Sequence, residues 1–124
     1  MELKLTIIGR VGRDPDLREV SGGKKVCSYS VATSPQKDKT VWVNVSTWNR
    51  RAEIDAQYLK KGMLVKCEGT IQTDENGKPR TYEKDGIIQS AGLEMTAYDV
   101  KYLIWNVEET QKSDSVNTKE EIPF

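Results

Sequence analysis

Apolar and polar side chains alternate through residues 41–48, so that Val41, Val43, Val45 and Thr47 share one face of a strand and Trp42, Asn44, Ser46 and Trp48 the other. The valine face suits a core. The opposite face sets two large aromatics on a polar background, which predicts a surface that receives flat groups such as nucleic-acid bases. Burial of both indoles beneath a helix or a second subunit is the alternative that this spacing leaves open.

Four further segments read as strands. Residues 3–11 alternate in part, with Leu3, Leu5 and Ile7 on one side and Lys4 and Thr6 on the other. Ser21-Gly22-Gly23 predicts a turn into a strand over 26–33, and a polar stretch, 34–39, predicts a loop leading to the tryptophan strand. Residues 63–72 place Val65, Cys67, Gly69 and Ile71 inward, and residues 93–103 form the last strand. Asn76-Gly77 and Asp85-Gly86 are turn signals within a long excursion between these two.

One helix is predicted over residues 50–61. Ala52, Ala56 and Leu59 fall on one stripe, Ile54 and Tyr58 lie along its flank, and Gly62 supplies a left-handed stop. Lys60 and Lys61 then complement the negative helix end, a role that spacing does not separate from phosphate contact. Three strands, a helix and two strands is the order of an oligonucleotide-binding barrel, an all-β class with one helix and a five-stranded closed sheet.

Composition narrows the function classes. The 124 residues suit one domain, and the formal net charge of 0 is unevenly spread. Residues 1–107 carry a net of +3, residues 108–124 a net of −3. Basic side chains cluster only locally, at Lys24-Lys25, Lys37 and Lys39, Arg50-Arg51 and Lys60-Lys61. The two cysteines, Cys27 and Cys67, have no CxxC spacing and no histidine to accompany them, so no metal or cofactor is expected. Each sits among inward apolar neighbours and is expected to be a buried thiol. The first residues lack a signal-peptide layout and no apolar run reaches membrane length, so a soluble, cytoplasmic protein is expected. Asp14, Asp16, Asp55 and Glu68 could in principle hold magnesium for nuclease chemistry, but they form no recognisable cluster and no histidine can act as base. An enzyme is therefore not expected.

Longer motifs carry more than periodicity. Ile8-Gly9-Arg10-Val11-Gly12-Arg13-Asp14-Pro15-Asp16-Leu17-Arg18, Ser30-Val31-Ala32-Thr33-Ser34, the segment from Trp42 to Trp48, Tyr58-Leu59-Lys60-Lys61-Gly62, Glu68-Gly69 and Leu93-Glu94-Met95-Thr96-Ala97, in this order, resemble the bacterial single-stranded DNA-binding protein family. Glu120-Glu121-Ile122-Pro123-Phe124 resembles that family's acidic partner-binding tip. The resemblance implies an oligonucleotide-binding fold, assembly as a homotetramer, and single-stranded DNA held by aromatic stacking and basic side chains. It implies stacking at Trp42 and Trp48 and at Tyr82, phosphate contact at Arg50 and Lys61, and a place for Asn44 between the tryptophans. Lys37 and Lys39, beside the tryptophan strand, join the expected DNA-binding set. For Tyr82, packing across its own hairpin is an equal alternative.

The chain also departs from the family pattern. The 34–40 loop carries no aromatic, residues 74–79 look like an insertion, and the segment before the tip is short. Residues 1–107 are thus expected to form the DNA-binding domain, 108–119 a disordered linker with a reach of roughly 20 Å, and 120–124 the tip. In the tip, Pro123 limits conformational freedom and Phe124 with its α-carboxylate offers an apolar and anionic anchor. The implied partners are single-stranded DNA and replication, recombination and repair proteins, with a nucleoid-associated location. A replication-restart accessory protein of the same fold is the nearest alternative, and would be expected to lack the acidic tip. Trp105 has two open readings, closing the last strand or packing at a subunit interface.

Overall fold

The structure, a computed structural model describing residues 1–104, runs β1 (Leu5–Val11), β2 (Asp16–Val20), β3 (Lys24–Gln36), β4 (Lys39–Trp48), α1 (Asn49–Tyr58), β5 (Leu64–Ile71), β6 (Thr81–Lys84), β7 (Ile87–Ser90) and β8 (Leu93–Ile104). Trp105, the 108–119 segment and the 120–124 tip lie outside the described residues.

Hydrogen bonding joins the strands in the order β1-β5-β8-β4-β3-β2, and a second pairing of β1 with β3 closes a ring of five. Only β4 and β8 run parallel within it. This is the oligonucleotide-binding barrel that the element order predicts. Closure pairs every strand of the ring on both sides and so leaves it no open edge. β2 extends β3 outside the ring, and β6 with β7 forms a separate two-stranded ribbon.

Strand alternation fills the interior. Ile7, Tyr29, Val31, Val43, Val45, Val65 and Met95 are buried in one cluster, joined by Ala52 from α1 and by Leu59 and Met63 from the segment after it. Cys27 and Cys67 are free and fully buried in that cluster. The Tyr29 hydroxyl and the Cys67 sulfur lie in hydrogen-bond contact at 3.7 Å. Burial pushes both thiols up to about 12 and raises the Tyr29 phenol far above its ordinary value.

Several local expectations are corrected. β2 carries no hydrophobic period because all five of its residues are exposed; pairing with β3 alone makes it a strand. The polar 34–39 stretch is mostly strand, since β3 and β4 continue to a two-residue turn at Lys37-Asp38. The helix ends at Tyr58, with Leu59 already extended, so Gly62 does not stop it. Gly62, at φ 92, instead turns the chain so that its N–H donates to the Val11 carbonyl at 2.7 Å. Lys60 and Lys61 therefore lie beyond the helix end. Ile71 continues the inward face of β5, opposite buried Met95, but is 40% exposed because it is the last residue of the strand.

Asp55 also belongs to the interior. It is fully buried, and its Oδ1 accepts from Arg51 Nη2 at 2.8 Å and from the Tyr102 hydroxyl at 2.5 Å. Arg51 Nη2 also donates to the Tyr102 oxygen at 2.7 Å, so three side chains tie α1 to the far end of β8.

Candidate nucleic-acid interface

β4 presents Trp42, Asn44, Ser46 and Trp48 on the outer face of the barrel while Val43, Val45 and Thr47 are buried behind them. Trp42 is 53% and Trp48 38% exposed, so α1 covers neither ring. Six residue-to-residue steps of extended chain separate them, about 20 Å along the strand. Between the rings the floor is small and polar: Ser30 lies opposite Asn44 and Ser28 opposite Ser46 on β3, while β8 sets Glu94 beside Asn44 and Thr96 beside Ser46.

Trp42 is set in place by a glycine. A Cβ at Gly12 would run into the ring at Cζ3 and lie 2.8 Å from Cη2, so the indole lies directly on the backbone of residue 12. The Gly12 N–H donates to the Ser30 carbonyl at 2.8 Å, which ties this corner to β3. The motif containing Gly12 was visible in sequence, but its contact with Trp42 was not.

The predicted cations divide between the two ends. At the Trp42 end, the Lys61 N–H donates to Asp14 Oδ1 at 2.9 Å, which docks the 60–63 turn on the same 11–14 corner that carries Gly12. Lys37 and Lys39 lie further along, at the tip of the β3–β4 hairpin. At the Trp48 end, Asn49 takes a left-handed φ of 55 and Arg50 follows in the first turn of α1. Arg50, Lys61, Lys37 and Lys39 are all exposed.

Tyr82 belongs to the β6–β7 ribbon. It pairs with Gln89, and its hydroxyl donates to Gln89 Oε1 at 2.9 Å. The cross-hairpin placement that the sequence left open is thus present, with 48% of the residue still exposed.

Sequence reasoning missed the surroundings of Trp48. The indole lines two recesses, one of about 370 Å³ shared with Val20, Ser21, Lys24 and Asn49, and a more polar one of about 460 Å³ shared with Thr70, Gln72, Arg80 and Thr96 among others. Arg80 Nη1 donates to Gln72 Oε1 at 3.0 Å, and Gln72 Nε2 donates to Thr96 Oγ1 at 2.9 Å. Residues so far apart in the chain meet only because β8 lies between β4 and β5. Lys24 alone had a signal, as half of a Lys-Lys pair.

Among the described residues no three or more Asp, Glu, Cys or His side chains gather as a metal site, and no helix is long and apolar enough to cross a membrane. What the face offers is two indoles for flat groups, hydroxyls and amides between them, and cations at either end.

Comparison with known proteins agrees with this geometry. The sequence profile of the Single-strand binding protein family matches residues 3–89. Proteins named single-stranded DNA-binding protein from Neisseria meningitidis serogroups A and B are each 43% identical over 106 residues, covering 78% of this chain and 54% of theirs. Single-stranded DNA-binding protein 1 of Chlorobaculum tepidum is 35% identical over 89 residues, 65% of this chain and 55% of that protein. The chain spans about half the length of these curated relatives. With a profile match that runs from β1 into β7 and two tryptophans displayed on the outer face of an oligonucleotide-binding barrel, the chain belongs to the Single-strand binding protein family.

Proposed function

We propose that the protein binds single-stranded DNA without strong sequence preference and without catalysis. The observation that carries this is the pair of exposed indoles on one barrel face. Every base has a π-face, so stacking on Trp42 and Trp48 holds bases whatever their identity, while cations hold the backbone. Asn44 lies between the rings to bond a base edge or sugar, and Arg50, Lys61, Lys37 and Lys39 neutralise phosphates. Tyr82 adds a third, smaller platform at the ribbon.

The same proposal extends to assembly and partners. Leu3, Ile71 and Leu93 leave apolar surface around a recess of about 260 Å³, and Ile87 and Ile88 are 60% and 73% exposed. Such surface favours cover by further copies of the chain, and we assign it to a homotetramer. Glu120, Glu121, Ile122, Pro123 and Phe124 form the segment that recruits replication, recombination and repair proteins, through an apolar anchor flanked by acid. The setting is the bacterial cytoplasm at the nucleoid.

Intrinsic tryptophan fluorescence during titration with oligo-dT, combined with the native mass of the free protein, tests the reading. Strong quenching by a particle of tetramer mass is expected. Unquenched fluorescence with no binding overturns it. Removal of residues 122–124 is expected to abolish capture of partner proteins while oligo-dT affinity stays the same or rises slightly.

A further inference from the structure

The sequence offers no reason to link Arg80 with Glu94. Arg80 closes the loop before β6, in the excursion between β5 and β8, whereas Glu94 lies near the start of β8 and is paired with Asn44 on the tryptophan face. Arg80 Nε nevertheless approaches Glu94 Oε1 at 3.5 Å, with the arginine side chain 51% and the glutamate 19% exposed. A fixed carboxylate between two stacking platforms repels any polyanion laid across them. A guanidinium at that carboxylate offsets the repulsion, and is itself occupied while it does so.

The guanidinium is held by more than its ion pair. Its Nη1 donates to Gln72 Oε1 at 3.0 Å, and Gln72 Nε2 donates to Thr96 Oγ1 at 2.9 Å and to the Met95 carbonyl at 3.3 Å. Gln72 therefore keeps Arg80 at the recess beside Trp48 whether or not Glu94 is engaged. On the opposite side of the same indole the second recess carries Lys24, which forms no ion pair among the described residues. Trp48 lines both recesses, and they open toward the two neighbours of β4: Lys24 begins β3 on one side, while Thr96 belongs to β8 on the other, with Thr70 at the end of β5 and Gln72 just after it.

We propose that the two recesses flanking Trp48 are adjoining nucleotide subsites, in which Lys24 and Arg80 take the phosphates on either side of the base stacked on the indole, and that phosphate displaces Glu94 from Arg80. The strand then crosses β4 here instead of following it. This rests on the single-stranded DNA reading above and adds to it the path at Trp48 and an internal competitor for one phosphate contact.

The 124-residue chain is titrated with oligo-dT over a series of salt concentrations, as parent and as Arg80→Gln, Lys24→Gln, Glu94→Gln and Lys84→Gln. Lys84 is an exposed cation at the end of β6 and lines neither recess. Arg80→Gln and Lys24→Gln are each expected to flatten the plot of log affinity against log salt by about 0.7. Glu94→Gln is expected to tighten binding by about 1.5- to 5-fold, the equivalent of one part-exposed ion pair no longer broken. Lys84→Gln is expected to keep the parental slope. Thermal melting is followed for each variant, and Glu94→Gln, which leaves the bond of Arg80 to Gln72 in place, decides the matter if Arg80→Gln does not fold. Parental slopes in the Arg80 and Lys24 variants, weaker or unchanged binding in Glu94→Gln, or an equal loss in Lys84→Gln each overturn the subsites while the parent still binds. A parent that does not bind oligo-dT refutes the function itself.

Discussion

Gly12 and Trp42 form a backbone-to-ring contact in which the indole occupies the space that any other residue's Cβ would need. The indole that we propose as a stacking platform is thus positioned from below by the β1–β2 corner, with 53% of the residue exposed. A stiff strand and a seated ring together limit the freedom given up when a base is taken up.

Replacing Gly12 by Ala is expected to push the ring out of its seat at little expense to the fold, because the clash falls on the outer end of a surface side chain. Trp42→Ala and Trp48→Ala should each lower oligo-dT affinity by about 1–3 kcal/mol per stacked base. Gly12→Ala should reproduce part of the Trp42→Ala loss and add little in the Trp42→Ala background. A double-mutant cycle on affinity reads this directly. Additive losses would detach Gly12 from the platform.

The phosphate contacts proposed at the ends of the face have a different signature. Neutralising Arg50 or Lys61 to Gln is expected to reduce the slope of log affinity against log salt by about 0.7 for each phosphate that the variant no longer neutralises, with a similar loss of affinity for every oligonucleotide sequence. Titrations of oligo-dT and oligo-dA across salt concentrations check both halves. Unchanged slopes would return these side chains to the solvent.

The tie between α1 and β8 is testable without DNA. Tyr102→Phe removes the hydroxyl that donates to Asp55 Oδ1 and accepts from Arg51. It is expected to destabilise the protein by about 1–3 kcal/mol, since a buried carboxylate is then short of one donor. Urea denaturation gives the value, and a slope on urea equal to that of the parent shows that the fold is kept.

Alkaline pH should unfold the protein through its thiols. Burial raises Cys27 and Cys67 in the folded chain from 9.0 to about 12. Between these values the folded state keeps protons that the unfolded state has released. Their contribution is complete below pH 9 and falls away as pH rises toward 12, by about 1.4 kcal/mol per pH unit for each thiol. Burial raises the Tyr29 and Tyr102 phenols in the same direction, which steepens the fall above pH 10. Urea denaturation from pH 7 to 11 is expected to give constant stability up to about pH 8 and a decline beyond it, shallower by one thiol in Cys67→Ala.

The barrel and its tryptophan face were legible in the chain alone. Period-two alternation along β4 decides which side chains turn outward once one face is buried, so Trp42, Asn44 and Trp48 could be placed before any pairing was known. The same holds for buried Cys27, Val65 and Cys67. Local patterns failed where pairing rather than periodicity makes the element. β2 is a strand with every residue exposed, and the polar end of β3 continues its ladder to a two-residue turn. Gly62 was misread as a helix stop because a glycine after a helical pattern has the same local signature whether it caps the helix or turns the chain onto Val11. The neighbourhoods came from tertiary packing: Gly12 under Trp42, Arg80 at Glu94 and Gln72, Asp55 against Tyr102. Each of these contacts spans a sequence separation that no local pattern records, and each exists because barrel closure sets β1 against β3 and β8 between β4 and β5.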